Sequence, residues 1–211
     1  MKKLFSILLF FVAVNSMAQL PMRVTVPYKY PPAAPLYTYA TWNPSDKNAA
    51  ITLSNGNLTA TATAASTQNC RSTIGVSTGK HYFEITITSS IANSTSHGVQ
   101  TASEALTVLC GETVAGYGYN DVGQKKHNAV DAAYGGTPTN GSVIGVLLNM
   151  TDGEISFRLN NTDYGVAYTG LSGTFYAGFS SGFGANSVTA NFGATPFVYS
   201  VPAGYRAGLY Q

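Results

Sequence analysis

The chain has 211 residues, of which 45% are hydrophobic and only 9% charged, with 11 basic against 9 acidic side chains. Globular domains carry roughly 25% charged residues, so surface polarity here must come from Thr, Ser, Asn, Gly and Tyr, a composition that favours strands and turns. Lys2 and Lys3 account for the small positive excess, and nucleic acid is excluded as a partner because its binding needs several phosphate-neutralising cations.

Residues 1–18 read as a secretory signal peptide. Lys2 and Lys3 form the positive n-region, Leu4 to Val14 the apolar stretch, and Ser16-Met17-Ala18 the small-residue cleavage site, so the exported chain is expected to begin at Gln19. The apolar stretch is shorter than the roughly 20 residues a membrane-spanning helix needs. No other segment is long and apolar enough for one, and Gln19 stands where a lipid-anchored protein would carry Cys. A secreted or periplasmic protein is expected.

Residues 19–40 contain Pro21, Pro27, Pro31, Pro32 and Pro35 interleaved with Tyr28, Tyr30, Tyr37 and Tyr39, and read as a stiff, extended linker or an edge segment against the domain. Residues 41–211 are expected to form one domain. Short apolar or alternating runs recur there, separated by Gly, Asn, Asp and Ser, which predicts an all-β, two-sheet antiparallel sandwich. His81, Phe83, Ile85 and Ile87 alternate with Tyr82, Glu84, Thr86 and Thr88, predicting a strand with one buried and one more polar face. Val143 to Met150 is almost wholly apolar, as for a strand covered on both sides. It leads into Asp152-Gly153, a two-residue hairpin signal, then into the alternating run Glu154 to Leu159 and a second turn at Asn160 to Asp163.

Within this second half, Gly141-Ser142-Val143-Ile144-Gly145 through Asn149, followed by Gly153-Glu154-Ile155-Ser156-Phe157-Arg158-Leu159-Asn160, strongly resembles the core of SPRY domains. Gly79-Lys80-His81-Tyr82-Phe83-Glu84-Ile85, Gly98-Val99 and Gly116-Tyr117-Gly118-Tyr119 match earlier strands of that family in order. Thr41-Trp42-Asn43-Pro44 and Asn191 to Phe197 are similar to bacterial and phage versions. Phe83 and Tyr117 replace the family's usual Trp, and Asn161 replaces a turn Gly. The resemblance implies a concanavalin-like sandwich whose rim loops bind segments of partner proteins, with no enzyme activity and no cofactor.

The rim of that family corresponds here to Gln68–Arg71, Ser103–Tyr119 and Gly182-Phe183-Gly184. Phe183 is the first choice for a binding residue, since an aromatic flanked by glycines in a loop suits a partner's surface better than a core. Gly182, Gly184, Arg71, Leu106, Leu109 and Tyr119 follow by position. The alternative is a lectin-like carbohydrate-binding module, motivated by the many tyrosines; glycoside hydrolysis ranks last, because Glu84 has no acidic neighbour in sequence. Gly75-Val76-Ser77-Thr78-Gly79 matches a nucleophile elbow but leads into a strand, where the elbow needs a helix. His81, His97 and His127 are too scattered for a local metal site. Cys70 and Cys110 would pair as a disulfide in an oxidising compartment, or else lie buried as separate thiols.

Overall fold

The computed structural model describes residues 36–91 and 93–211; the expected signal peptide and most of the linker lie outside them. Strands form where short apolar and alternating runs are cut by Gly, Asn and Ser. Seven of them make one sheet, in the spatial order β1 (Trp42–Lys47), β4 (Gln68–Val76), β13 (Phe175–Ser181), β6 (Thr95–Gln100), β7 (Gly116–Asn120), β8 (Gln124–His127) and β9 (Val130–Ala133). The facing sheet runs β12 (Thr162–Thr169), β11 (Glu154–Leu159), β10 (Val143–Asn149), β5 (Lys80–Ser89), β14 (Ser187–Asn191), β3 (Thr59–Ala62) and β2 (Ile51–Ser54). A short β15 (Arg206–Ala207) adds in parallel beside His81 and Tyr82 of β5. All other pairings are antiparallel, and no helix occurs among the described residues. The fold is the expected all-β sandwich.

Between the sheets Trp42, Phe83, Phe179 and Phe192 form a connected aromatic core, with Trp42 edge-on to Phe192 at 5.2 Å. Every residue of β10 is buried, as its apolar run predicts. The expected polar face of β5 is not solvated, however. Tyr82 and Glu84 are fully covered by the C-terminal segment, where Phe197 packs edge-on against Tyr82 and the Glu84 carboxylate accepts hydrogen bonds from the backbone N–H groups of Val198 (2.8 Å) and Tyr199 (2.9 Å). A sequence period reports only which side chains share a face. It says nothing about a later segment laid across that face.

The two turns of the β10–β11–β12 meander also exchange roles. Asn149 pairs with Glu154, so Met150 to Gly153 form a four-residue connection instead of a two-residue Asp-Gly turn. The Asn149 side chain closes it, donating to Asp152 at 2.7 Å and accepting from its N–H at 3.1 Å. The two-residue turn is Asn160-Asn161, with φ of 48° and 68°. Asn tolerates this left-handed region better than other non-glycine residues.

Residues 101–115 cross the outer face of the seven-stranded sheet as a strap. Gly178, Gly98 and Gly118 lie in register on β13, β6 and β7 beneath it. A Cβ on Gly118 would overlap the Ser96 hydroxyl and the Cys110 carbonyl, and one on Gly178 would stand 3.2 Å from Cys110 Sγ. Polar groups pin the strap: Cys110 N–H donates to Ser180 Oγ at 2.7 Å, Ser96 Oγ to the Cys110 carbonyl at 2.7 Å, and Asn69 Nδ2 to the Val108 carbonyl at 3.1 Å.

This arrangement leaves Cys70 and Cys110 as free thiols. Cys70 pairs with Phe179 and faces the core, whereas Cys110 lies under the strap on the other side of the sheet. The sheet itself separates the two sulfurs, and burial raises both thiol pKa values well above the ordinary range.

Replacing Gly118 by Ala is expected to lower stability by about 3 kcal/mol, because the overlap is with backbone that cannot swing away; an unchanged urea midpoint would show that the strap is loosely held. His97 supplies a pH prediction. It is fully buried, stacked on Phe179, hydrogen-bonded to Thr95 Oγ1 at 3.1 Å, and burial pushes its pKa down to about 3. The unfolded chain takes up this proton near pH 6.5 while the folded protein does not, so stability is full above that pH. It should fall by about 1.4 kcal/mol per unit as pH drops from there toward 3. In His97→Phe, denaturant titrations across this window should lose that slope.

Candidate functional site

The β3–β4, β5–β6, β7–β8, β9–β10 and β13–β14 connections all lie at one end of the sandwich. The strap rises to the same end, where the Leu106 carbonyl accepts from Asn48 Nδ2 (3.0 Å) and Asn69 N–H (3.1 Å). Phe183 sits here at 53% exposure, with Ile91 of the β5–β6 loop at 48% and Val122 of the β7–β8 turn at 37%.

A single buried amide holds the β13–β14 and β5–β6 loops together. Asn186 Nδ2 donates to Ser94 Oγ at 2.9 Å, to Ser181 Oγ at 2.7 Å and to the Phe183 carbonyl at 3.1 Å, while its Oδ1 accepts from Ile91 N–H at 2.5 Å. Gly182 N–H donates to the Ser94 carbonyl at 2.6 Å. A Cβ on Gly184 would stand 3.1 Å from the backbone of Thr63, so this glycine lets the loop close onto the β3–β4 connection. Phe183 is thus an exposed aromatic on a loop tied down by backbone and by Asn186. An ordered aromatic of this kind forms a contact at low entropic cost.

The other predicted binding residues divide. Leu106 and Leu109 are half-buried on the strap, with Leu109 lining a small depression beside Lys126 and Asp131. Arg71 is buried: its guanidinium makes a two-pronged pair with Asp46 at 2.7 Å and donates to the Glu104 carbonyl at 2.7 Å, so it anchors the strap and does not face a partner. Tyr119 is fully buried, stacked on Phe157 at 5.5 Å and donating its hydroxyl to the Gly136 carbonyl. The sequence carried this signal, because in Gly116-Tyr117-Gly118-Tyr119 the tyrosines alternate with glycines that must face the strap, which turns Tyr119 inward.

The sequence reading missed Ile91, Asn186 and Asp121. The first is a lone apolar residue in a polar loop, the second resembles any turn Asn, and Asp121 stands in the short β7–β8 connection, where a solvated turn charge is the ordinary expectation. Asp121 instead accepts from the N–H groups of Ser94 (3.2 Å) and Thr95 (3.3 Å) and from Ser90 Oγ (3.1 Å). Nearby, Lys126 lies between Glu112 at 3.1 Å and Asp131 at 3.2 Å. Burial disfavours its ammonium form, but hydrogen bonds to these two carboxylates outweigh burial and raise its pKa.

The remaining candidate chemistry has structural roles. Ser77 to Gly79 join two strands, β4 and β5. Glu84 is occupied by the C-terminal segment and by the Tyr82 hydroxyl at 2.9 Å. His81 bonds the Gly208 and Thr78 carbonyls, and His127 stacks on Tyr117 at 4.1 Å. No three His, Cys, Asp or Glu side chains among the described residues converge as metal ligands.

The SPRY domain family matches residues 80–195, more than half of the chain. Among characterised proteins the chain is similar to Ran-binding protein 9 of Xenopus tropicalis, 31% identical over 172 residues that cover 76% of this chain and 31% of that protein. It is also similar to a Ran-binding proteins 9/10 homolog of Drosophila melanogaster, 29% identical over 168 residues covering 75% of this chain and 18% of that one. The chain therefore spans under a third of the length of these relatives. Of solved structures, the SPRY domain of human HERC1 superimposes with a TM-score of 0.63 at 19% identity, covering 71% of this chain and 96% of that one. On its sequence and its two-sheet sandwich alike, the chain belongs to the SPRY domain family.

Proposed function

We propose that this protein is an exported, non-catalytic binding module that takes a short segment of a partner protein on the rim built by the β5–β6 and β13–β14 loops. SPRY domains are protein-interaction modules, and the observation that carries the reading to this rim is Phe183, half-exposed on a loop held by the buried Asn186. Aromatic side chains, Phe among them, are enriched at the cores of protein interfaces and contribute large buried area there. Export rests on the first 18 residues, and an origin in a bacterial or phage-related lineage on the motifs at Thr41–Pro44 and Asn191–Phe197.

Protein recognition is favoured over carbohydrate binding by the state of the tyrosines. Among the described residues only Tyr37 is exposed, and it is packed against Tyr39 and Tyr210, with a ring separation of 4.3 Å to the latter. The one strongly exposed tyrosine is thus partly covered by its neighbours.

In a selection of randomised displayed peptides against the full chain, Phe183→Ala should weaken the selected peptides by about 1–2 kcal/mol or more with thermal stability retained. Equal binding by the variant would remove the rim from consideration. Expressed with its own N-terminus in a secreting host, the protein should leave the cytoplasm and begin at Gln19 on N-terminal sequencing; retention of Met1 on a cytoplasmic product would overturn the export reading.

A further inference from the structure

Between the β5–β6 loop, the β7–β8 turn and the chain entering β10 lies a cleft of about 370 Å³, lined by Ser90, Asp121, Thr137, Pro138, Thr139 and Asn140. It is roomy enough to admit a long side chain. Asp121, only 3% exposed, is the one charged residue in its wall. The hydrogen bonds that orient this carboxylate come from two backbone N–H groups and a serine hydroxyl, all neutral, and among the described residues it forms no ion pair. Neutral donors fix its direction and leave its charge uncompensated.

The surroundings reinforce that charge. Asp121 also lines the adjoining depression with Asp131 and Lys126, and Lys126 is already shared between Asp131 and Glu112. One ammonium thus serves a corner with three carboxylates, on a chain in which only 9% of residues are charged. The cleft also adjoins the apolar part of the rim. Ser90 lines it, the next residue is the exposed Ile91, and Asn186 ties Ile91 to the Phe183 loop.

We infer that this cleft receives a lysine or arginine side chain of the partner segment, next to an apolar residue of the same segment lying on Ile91 and Phe183. The aliphatic stem would lie along the buried Pro138 and the cationic head against Asp121, among the hydroxyls of Thr137 and Thr139. A long basic side chain suits such a site because its stem buries apolar area while its head keeps polar contacts. A rim carboxylate lacking a cation of its own discriminates between partners mainly through charge. The inference rests on the rim being the recognition surface, and it specifies the chemistry of what binds there.

The test uses short randomised peptides displayed on phage, selected against the full wild-type chain. Selected peptides are then synthesised and titrated against Thr137→Lys, Thr137→Glu, Asp121→Asn and Phe183→Ala. Thr137 is exposed and no side chain hydrogen-bonds to it, so its variants should fold normally, with unchanged thermal midpoints as the control. The selected peptides should carry Lys or Arg at a fixed spacing from an apolar residue. Thr137→Lys should bind them about tenfold more weakly, Thr137→Glu at least as tightly as wild type, and replacing the basic residue by norleucine should reproduce the loss. Peptides that depend on Phe183 but show no basic position, or that lose equally with Lys and Glu at position 137, would overturn the cation site and leave the rim reading standing. If no selected peptide depends on Phe183, both fall.

Discussion

The close approach of the 101–115 strap to the seven-stranded sheet is the constraint on which the rest of the structure depends. Gly178, Gly98 and Gly118 lie in register across three adjacent strands, and at Gly118 the missing side chain lets the Cys110 backbone lie directly on the sheet. Backbone brought this close loses water and must find protein partners. Asn69, Ser96, Ser180 and Arg71 supply them from the sheet. Arg71 then needs a counter-charge, since burying a lone guanidinium is unfavourable, and Asp46 on the edge strand β1 provides it in two-pronged geometry. One packing choice thus accounts for Gly118 and Gly178, a buried cation, and the inward hydrogen bonds of Asn69, Ser96 and Ser180.

The strap also decides what the rim can be. It delivers Leu106 and Leu109 to the end of the sandwich where the β5–β6 and β13–β14 loops project. Those loops are joined by Asn186, so displacement of one is transmitted to the other through its amide. The hydrogen bonds of Asn186 hold the Phe183 loop in place without a partner, so little of its freedom remains to be lost on binding. Beside these loops Asp121 shares a depression with Lys126 and Asp131, where one ammonium serves three carboxylates.

Sequence made the strands legible wherever a strand's own side chains determine its environment. The apolar run of β10 and the alternation of β11 needed only periodicity, and the ordered matches within residues 80–195 carried the family. What sequence hid was every feature set by a distant segment. The polar face of β5 is buried because residues 197–199 return to it, and Arg71 is buried because the strap and Asp46 enclose it. The two thiols failed to meet because strand parity put Cys70 on the core side, a parity readable only once Phe179 is known to be its partner. At the rim Phe183 could be chosen from its flanking glycines, whereas Ile91 and Asp121 acquire meaning only from the loops that fold beside them.

The closure of the chain bears on the same surface. Thr38 N–H donates to the Gln211 carbonyl and Ala40 N–H to that of Leu209, while Tyr39 pairs with Tyr210, so the first and last described residues form one ribbon. Leu209 N–H in turn donates to the Phe192 carbonyl, just beyond the last residue of β14. Strand β14 begins at Ser187 beside the Phe183 loop and ends at Asn191. The ribbon therefore lies at the end of the sandwich remote from Phe183. Both ends of the described chain leave the rim unobstructed, and the C-terminal segment is used instead to cover Glu84 and Tyr82. Glu84 is thereby enclosed away from the rim, whereas Asp121, itself only 3% exposed, lies at the rim end in the wall of the cleft formed with Ser90 and residues 137–140.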